Sequence, residues 1–329
     1  MDTQAVHATQ RPSSPKPHMP GWVARRVLPA VAVAATLPYL SLKSAWLAGS
    51  TIGIPAGSAL REPGGFLLAV NAVTLAMDAC VILLVLVLTR PWGRRVPGWL
   101  LIVPAFVATG LLTPILCGFA GQLTLRALGF GAGPEPTAGP EPYLDPWVFP
   151  LVYGGFTLQG LALAGLLVPY ARTRWGRRLR GVTGERLPSP TGVVAAAAAV
   201  CGLVIAVAHA YWAFGGAAGL PPGRAAAHTA EGGVVAAVHG LGALAAGAGA
   251  LLLARGGRPR ARLPLGLAWT GAAVTLSWGA GMLLASLGPS IDGGEGPSLI
   301  GRLTYAGQML TGSLTAAVLV RFLMSRPAR

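Results

Sequence analysis

Of 329 residues, 53% are hydrophobic and only 11% charged, against roughly 25% charged in ordinary soluble domains, so the polar surface that a soluble core needs is missing. The net charge of +15 does not point to nucleic acid either, because the basic residues form short clusters between apolar runs, with no basic face interleaved with aromatics. That spacing is the one expected of membrane loops.

In chain order, residues 1–26 are a Pro-rich polar tail carrying Arg11, Lys16, Arg25 and Arg26, with the composition of a disordered cytoplasmic segment. The tail is too long for a signal n-region and the run after it is of full spanning length, which predicts an uncleaved helix. A crossing takes about 20 apolar residues. Eight segments supply them: 27–48, 66–89, 97–119, 147–171, 192–214, 232–254, 263–287 and 300–323. All are too long for strands, so the expected fold is an all-α integral membrane bundle of eight transmembrane helices.

With the N-terminus inside, twenty of the 25 basic residues fall in inner segments and only Arg61, Arg126, Arg224 and Arg302 in outer ones. Lys/Arg bias in short loops sets orientation, so both termini are predicted to be cytoplasmic. The acids Glu62, Glu135, Glu141, Asp145, Glu231, Asp292 and Glu295 lie outside. Trp46, Trp147 and Trp212 fall at outer helix ends, and Trp22, Trp92, Trp99, Trp175 and Trp269 at inner ones, forming two aromatic belts. Trp278 alone is deep in a helix. Arg far outnumbers Lys, as in high-GC bacteria, and the expected location is the plasma membrane. Cys80, Cys117 and Cys201 lie in apolar runs without C-x-x-C spacing, so they are expected to be small buried hydrophobes rather than disulfide or zinc residues.

The chain carries an internal repeat. Trp46, Gly49, Gly53 and Pro55 after the first helix recur as Trp212, Gly215, Gly219 and Pro221 after the fifth. Gly64-Gly65 and Asn71 align with Gly232-Gly233 and His239; Tyr153, Gly155, Leu158 and Gly160 align with Tyr305, Gly307, Leu310 and Gly312. The organisation expected is a tail (1–26), a first four-helix repeat (27–178), a linker (179–191) and a second repeat (192–329). Four helices per repeat make the two parallel, related by an axis along the membrane normal. In the shared motif, Trp anchors a helix end, glycines allow an irregular turn and Pro stops the helix.

His209-x-x-Trp212-x-x-Gly215-Gly216-x-x-Gly219 resembles the signature of an uncharacterised group of small four-helix bacterial membrane proteins. Pro38-Tyr39-Leu-Ser-Leu-Lys43 followed by Trp46 is similar to multi-pass membrane proteins of high-GC bacteria. The resemblance implies a tandem duplication of a four-helix unit and no activity; the first half departs from it with Lys43 in place of His209.

Ionisable residues inside a membrane are functional candidates by default, and four stand out: Lys43, Asp78, His209 and His239. Lys43 aligns with His209 and Asn71 with His239, so each half has two polar side chains (Lys43 with Asn71, His209 with His239) on adjacent antiparallel helices at matching depth, about 9 Å in. The Lys43 stem is long enough to lift its ammonium to the outer headgroups. Asn71, Thr74 and Asp78 share one helix face, and Asp78, near the bilayer centre, is protonated, paired with Lys43 across a wet gap, or hydrogen-bonded between helices. His209 and His239 suggest an interhelical hydrogen bond, or axial ligands of a haem or copper. No nucleophile elbow, zincin, Walker or Rossmann pattern sits in a supporting context, and Asp292-Gly-Gly-Glu295 is a Gly-rich turn rather than a calcium loop. The leading expectation is a non-enzymatic membrane protein that binds or moves a small molecule or ion between its two repeats, without a cofactor. The alternatives are a redox protein with haem or quinone at His209/His239, and a scaffold for another membrane protein.

Overall fold

The computed structural model describes residues 21, 26–61, 64–130, 144–179, 181–220, 229–288 and 296–326. Within them lie eight helices long and apolar enough to cross a membrane: α1 Leu28–Leu47, α2 Gly65–Thr89, α3 Gly98–Ala127, α4 Val148–Leu179, α5 Thr191–Ala213, α6 Ala230–Arg255, α7 Arg262–Ala285 and α8 Leu299–Met324. The chain is thus an all-helical, multi-pass membrane protein. Trp22, Pro221 and the Asp292–Glu295 turn lie outside the described residues.

Two helices outrun their apolar segments. α3 continues to Ala127 and α4 to Leu179, because good helix formers (Gln122, Leu125 and Arg126; Arg172 and Arg174) follow the apolar run with no Pro among them, and the single glycines there (Gly121, Gly176) are tolerated. α3 stops where Gly129 turns left-handed at φ +81°. There Phe130 N–H donates to Leu125 O at 2.9 Å and Gly129 N–H to Arg126 O at 3.0 Å, a Schellman closure. The 179–191 segment also contains a strand absent from the sequence expectation. β1 Val182–Gly184 pairs antiparallel with β2 Gly257–Arg260, clasping the linker to the α6–α7 connection.

Each half is a ring of four helices. α1 packs on α2 and α4, and α3 closes onto α4 and more loosely onto α2; in the same order, α5 packs on α6 and α8, and α7 on α6 and α8. The halves join chiefly through α3 against α6 and α7. Gly110 lets α3 approach until a Cβ there would lie 2.2 Å from Ala273 O. Trp269 stands edge-on to Phe106, ring centroids 5.2 Å apart, and Arg126 pairs with Glu231 at 2.5 Å.

The second half is the tighter. Its core is built around Ala195, Ala198, Ala250, Ala261 and Ala268, all fully buried, and two glycine rows on α6 explain how. Cβ atoms built at Gly233, Gly240 and Gly247 would meet Ala213, His209 and Ala199 of α5; those at Gly242 and Gly249 would meet Val274 and Ala268 of α7. Seven-residue spacing keeps each row on one helix face, and small residues are what let membrane helices close on one another. Cys80 and Cys117 are exposed, correcting the expectation of burial; both lie on outward faces, where a thiol sits against hydrocarbon at little cost.

The Trp–Gly turns share their main hydrogen bonds. Trp46 Nε1–H donates to Ile52 O at 2.7 Å and Trp212 Nε1–H to Ala218 O at 3.0 Å. Ser50 N–H bonds Ala45 O, and Gly216 N–H bonds Tyr211 O. Gly49 and Gly215 have φ of +88° and +91°, Gly53 and Gly219 of +73° and +81°. A Cβ at Gly53 would lie 2.6 Å from Val148 at the start of α4, and one at Gly219 2.6 Å from Ile300 at the start of α8. In each half the carbonyl of that second glycine is also capped from the same place, by Asp145 N–H on Gly53 O and by Ser298 Oγ–H on Gly219 O. The motif thus docks the end of a half's first helix onto the start of its fourth.

Gly49 and Gly219 separate the two demands made on such glycines. Around Gly49 there is open space, so Gly49→Ala should cost only the left-handed backbone, about 1 kcal/mol. Gly219→Ala adds the collision with Ile300 and should cost about 2–3 kcal/mol. Thermal unfolding of the two variants in detergent measures the difference.

Candidate functional site

The four intramembrane ionisable residues fall into two separate clusters, each inside its own half.

In the first half, Lys43 sits one turn from the end of α1 and Asn71 six residues into α2. Antiparallel contact brings them together: Lys43 Nζ donates to Asn71 Oδ1 at 2.5 Å. The ammonium also stands 5.1 Å from the Tyr39 ring centroid and 5.2 Å from that of Trp46, inside cation–π range. Lys43 is only 9% exposed, so its charge is held by an amide oxygen and two aromatic faces and does not snorkel to the headgroups.

Asp78 lies thirteen residues into the 25-residue α2, roughly 20 Å from its N-terminal end, and is 7% exposed. It continues the buried stripe of Asn71 at seven-residue spacing. Tyr39 and Lys43 are both near enough to interact with its charge. Lys43 and Asp78 nevertheless form no direct ion pair, and Asp78 Oδ2 is buried without a hydrogen-bond partner. Thr74, between them on the same face, turns its hydroxyl back to Val70 O and Asn71 O, both at 3.0 Å. The arrangement is a fixed cation above an uncompensated carboxylate oxygen, and such an oxygen can only accept: a proton, a hydrogen-bond donor or a small cation.

In the second half, His209 is held from both sides. Its Nδ1 faces Ile205 O at 2.9 Å and its Nε2 faces Gln308 Nε2 of α8 at 3.3 Å. A carbonyl accepts and an amide nitrogen donates, which assigns a neutral imidazole with its proton on Nδ1. The ring of His239 lies 5.8 Å away, tilted by 38°, and Trp278 stands edge-on to His239 at 5.2 Å. The two histidines do not hydrogen-bond each other; the interhelical bond of His209 runs to Gln308 of α8. His239 Nδ1 and Trp278 Nε1 are buried with no partner.

A haem does not fit between these rings. The Nε2 of His209 is taken by Gln308, and a Cβ at Gly240 would lie 3.2 Å from the Cβ of His209, leaving no porphyrin-sized gap between α5 and α6. Among the described residues no three of His, Cys, Asp and Glu converge in a way that could hold a metal ion. No family model, curated protein or solved structure matches this chain.

Gln308, Trp278 and Tyr39 belong to these clusters and were not singled out as site residues from the sequence. A glutamine inside an apolar helix was the available signal for Gln308; its partner, 99 residues away, was not. Gln308→Leu should leave His209 Nε2 buried without a donor and cost about 1 kcal/mol of stability, read as a lower unfolding midpoint in detergent, while His239→Phe, which breaks no hydrogen bond, should cost less.

Proposed function

We propose that the chain is a membrane protein of two parallel four-helix copies, both termini cytoplasmic, whose first half binds a small cation, a proton included, at Asp78 beneath the Lys43–Asn71 pair. The observation that carries this reading is the buried Asp78 carboxylate with one oxygen unpartnered, midway along α2. An unpaired carboxylate in a low-dielectric interior is costly, and nearby Lys43, already engaged by Asn71, offsets only part of that cost. A ligand that donates to Oδ2 supplies the rest. The second copy contrasts with the first: its His209 is hydrogen-bonded on both nitrogens and its helices are closed by glycine rows. The matching Trp–Gly turns and helix neighbours favour a duplication, after which only the Lys43-bearing copy kept a charged interior.

The test is proton release. Sodium or potassium chloride added to the purified chain in weakly buffered detergent should displace protons from Asp78, seen with a soluble pH dye as an acid step whose size saturates as the salt is raised. Asp78→Asn should abolish the step and His239→Phe should keep it. An equal step in wild type and Asp78→Asn would place the exchange elsewhere.

A further inference from the structure

An apolar groove of about 300 Å³ runs along α3 between α2, α4 and α7, apart from the Asp78 cluster. Its wall on α3 extends from Ala105 to Leu116, roughly 16 Å at 1.5 Å per residue. Most of the polar groups in it are satisfied internally: Thr109 Oγ1 donates to Ala105 O at 2.7 Å, Thr113 Oγ1 to Thr109 O at 2.6 Å, and Trp269 Nε1 to Thr109 Oγ1 at 3.3 Å. A polar solute would find little besides the Thr270 hydroxyl to bond there, whereas a hydrocarbon chain would lose little on entering. The open side of the groove is formed on α4 by Leu161, Ala164 and Val168, all exposed.

The charge at one end selects the headgroup. Arg172 follows Val168 by one helical turn on the same face of α4, and Arg90 follows Leu88, the last groove residue of α2, by two positions; both arginines are exposed. Arg174, by contrast, is spent on the backbone, donating to Val96 O at 2.5 Å and to the Tyr170 hydroxyl at 2.7 Å. Two uncommitted guanidiniums thus stand where a chain lying in the groove would end in its headgroup, and guanidinium is suited to bidentate contact with phosphate.

We infer that the groove between α2, α3, α4 and α7 is a binding site for an anionic phospholipid, one acyl chain lying along α3 and the phosphate held by Arg172 and Arg90. The purified full chain is placed in nanodiscs of phosphatidylcholine doped with phosphatidylglycerol, and the bound lipid is counted after exchange into detergent. Wild type should retain phosphatidylglycerol over phosphatidylcholine. Arg172→Gln should cut that preference about fivefold, the factor for one basic residue worth about 1 kcal/mol. Ala164→Phe, at an exposed position that tolerates a larger side chain, should fill the groove and reduce retention of both lipids. No preference in wild type, or full retention by Ala164→Phe with helix content unchanged, overturns the assignment.

Discussion

Gly271→Val is expected to be among the most damaging single substitutions in this protein, lowering stability by about 3 kcal/mol or more. α6 and α7 run antiparallel with Gly249 against Ala268 and Ala246 against Gly271. A Cβ at Gly271 would lie 2.2 Å from the backbone nitrogen of Ala246 and 2.6 Å from its Cα. Backbone atoms cannot rotate aside as a long side chain can. Relief therefore requires the helices to separate, and separation strips contacts from Ala246, Ala268 and Ala272, all fully buried. Dispersion contacts are what hold such helices together in hydrocarbon, where no hydrophobic effect drives them into contact. Denaturation of the variant in detergent should show a midpoint far below wild type; an unchanged midpoint would mean that α6 and α7 are not in close contact.

The second large effect concerns Lys43 and Asp78 together. Lys43→Met removes the cation from Asn71 Oδ1 and leaves Asp78 as the only charge in the first-half interior, an expected loss of about 2–4 kcal/mol. Asp78→Asn removes the anion and leaves the Lys43–Asn71 hydrogen bond in place, so it should cost less. With both replaced, no charge remains buried, and the double variant should be more stable than the sum of the single losses by about 1 kcal/mol or more. A double-mutant cycle of unfolding free energies measures that coupling. Strict additivity would show that the two charges do not sense each other through the gap.

The helices were legible in the sequence because lipid forbids other solutions: long apolar runs with no water for their backbone groups must be helices. Their ends were less so. α3 and α4 continue beyond the hydrocarbon on local helix propensity, which a hydropathy window does not weigh. The contacts within each half followed from aligning Lys43 with His209 and Asn71 with His239, since sequential helices pack together. Their chemistry did not follow. The Lys43 stem could have reached the headgroups, and only the position of Tyr39, Trp46 and Asn71 around its ammonium decides that it turns inward. The partner of His209 comes from α8, a contact made by ring closure of four helices rather than by neighbours in sequence. The glycine rows of α6 stood in plain view at positions 233, 240 and 247, but which helix each row faces is fixed by tertiary structure alone.

The most direct test of the cation site is ligand-linked stability. A ligand that binds only the folded chain raises its stability with the logarithm of concentration once the site is filled. At constant ionic strength, kept with a bulky organic cation, the unfolding midpoint of the wild-type protein should rise with sodium or potassium. The rise should be lost in Asp78→Asn and kept in His239→Phe. A midpoint that ignores both ions, or that rises equally in Asp78→Asn, would contradict a sodium or potassium ion held at Asp78.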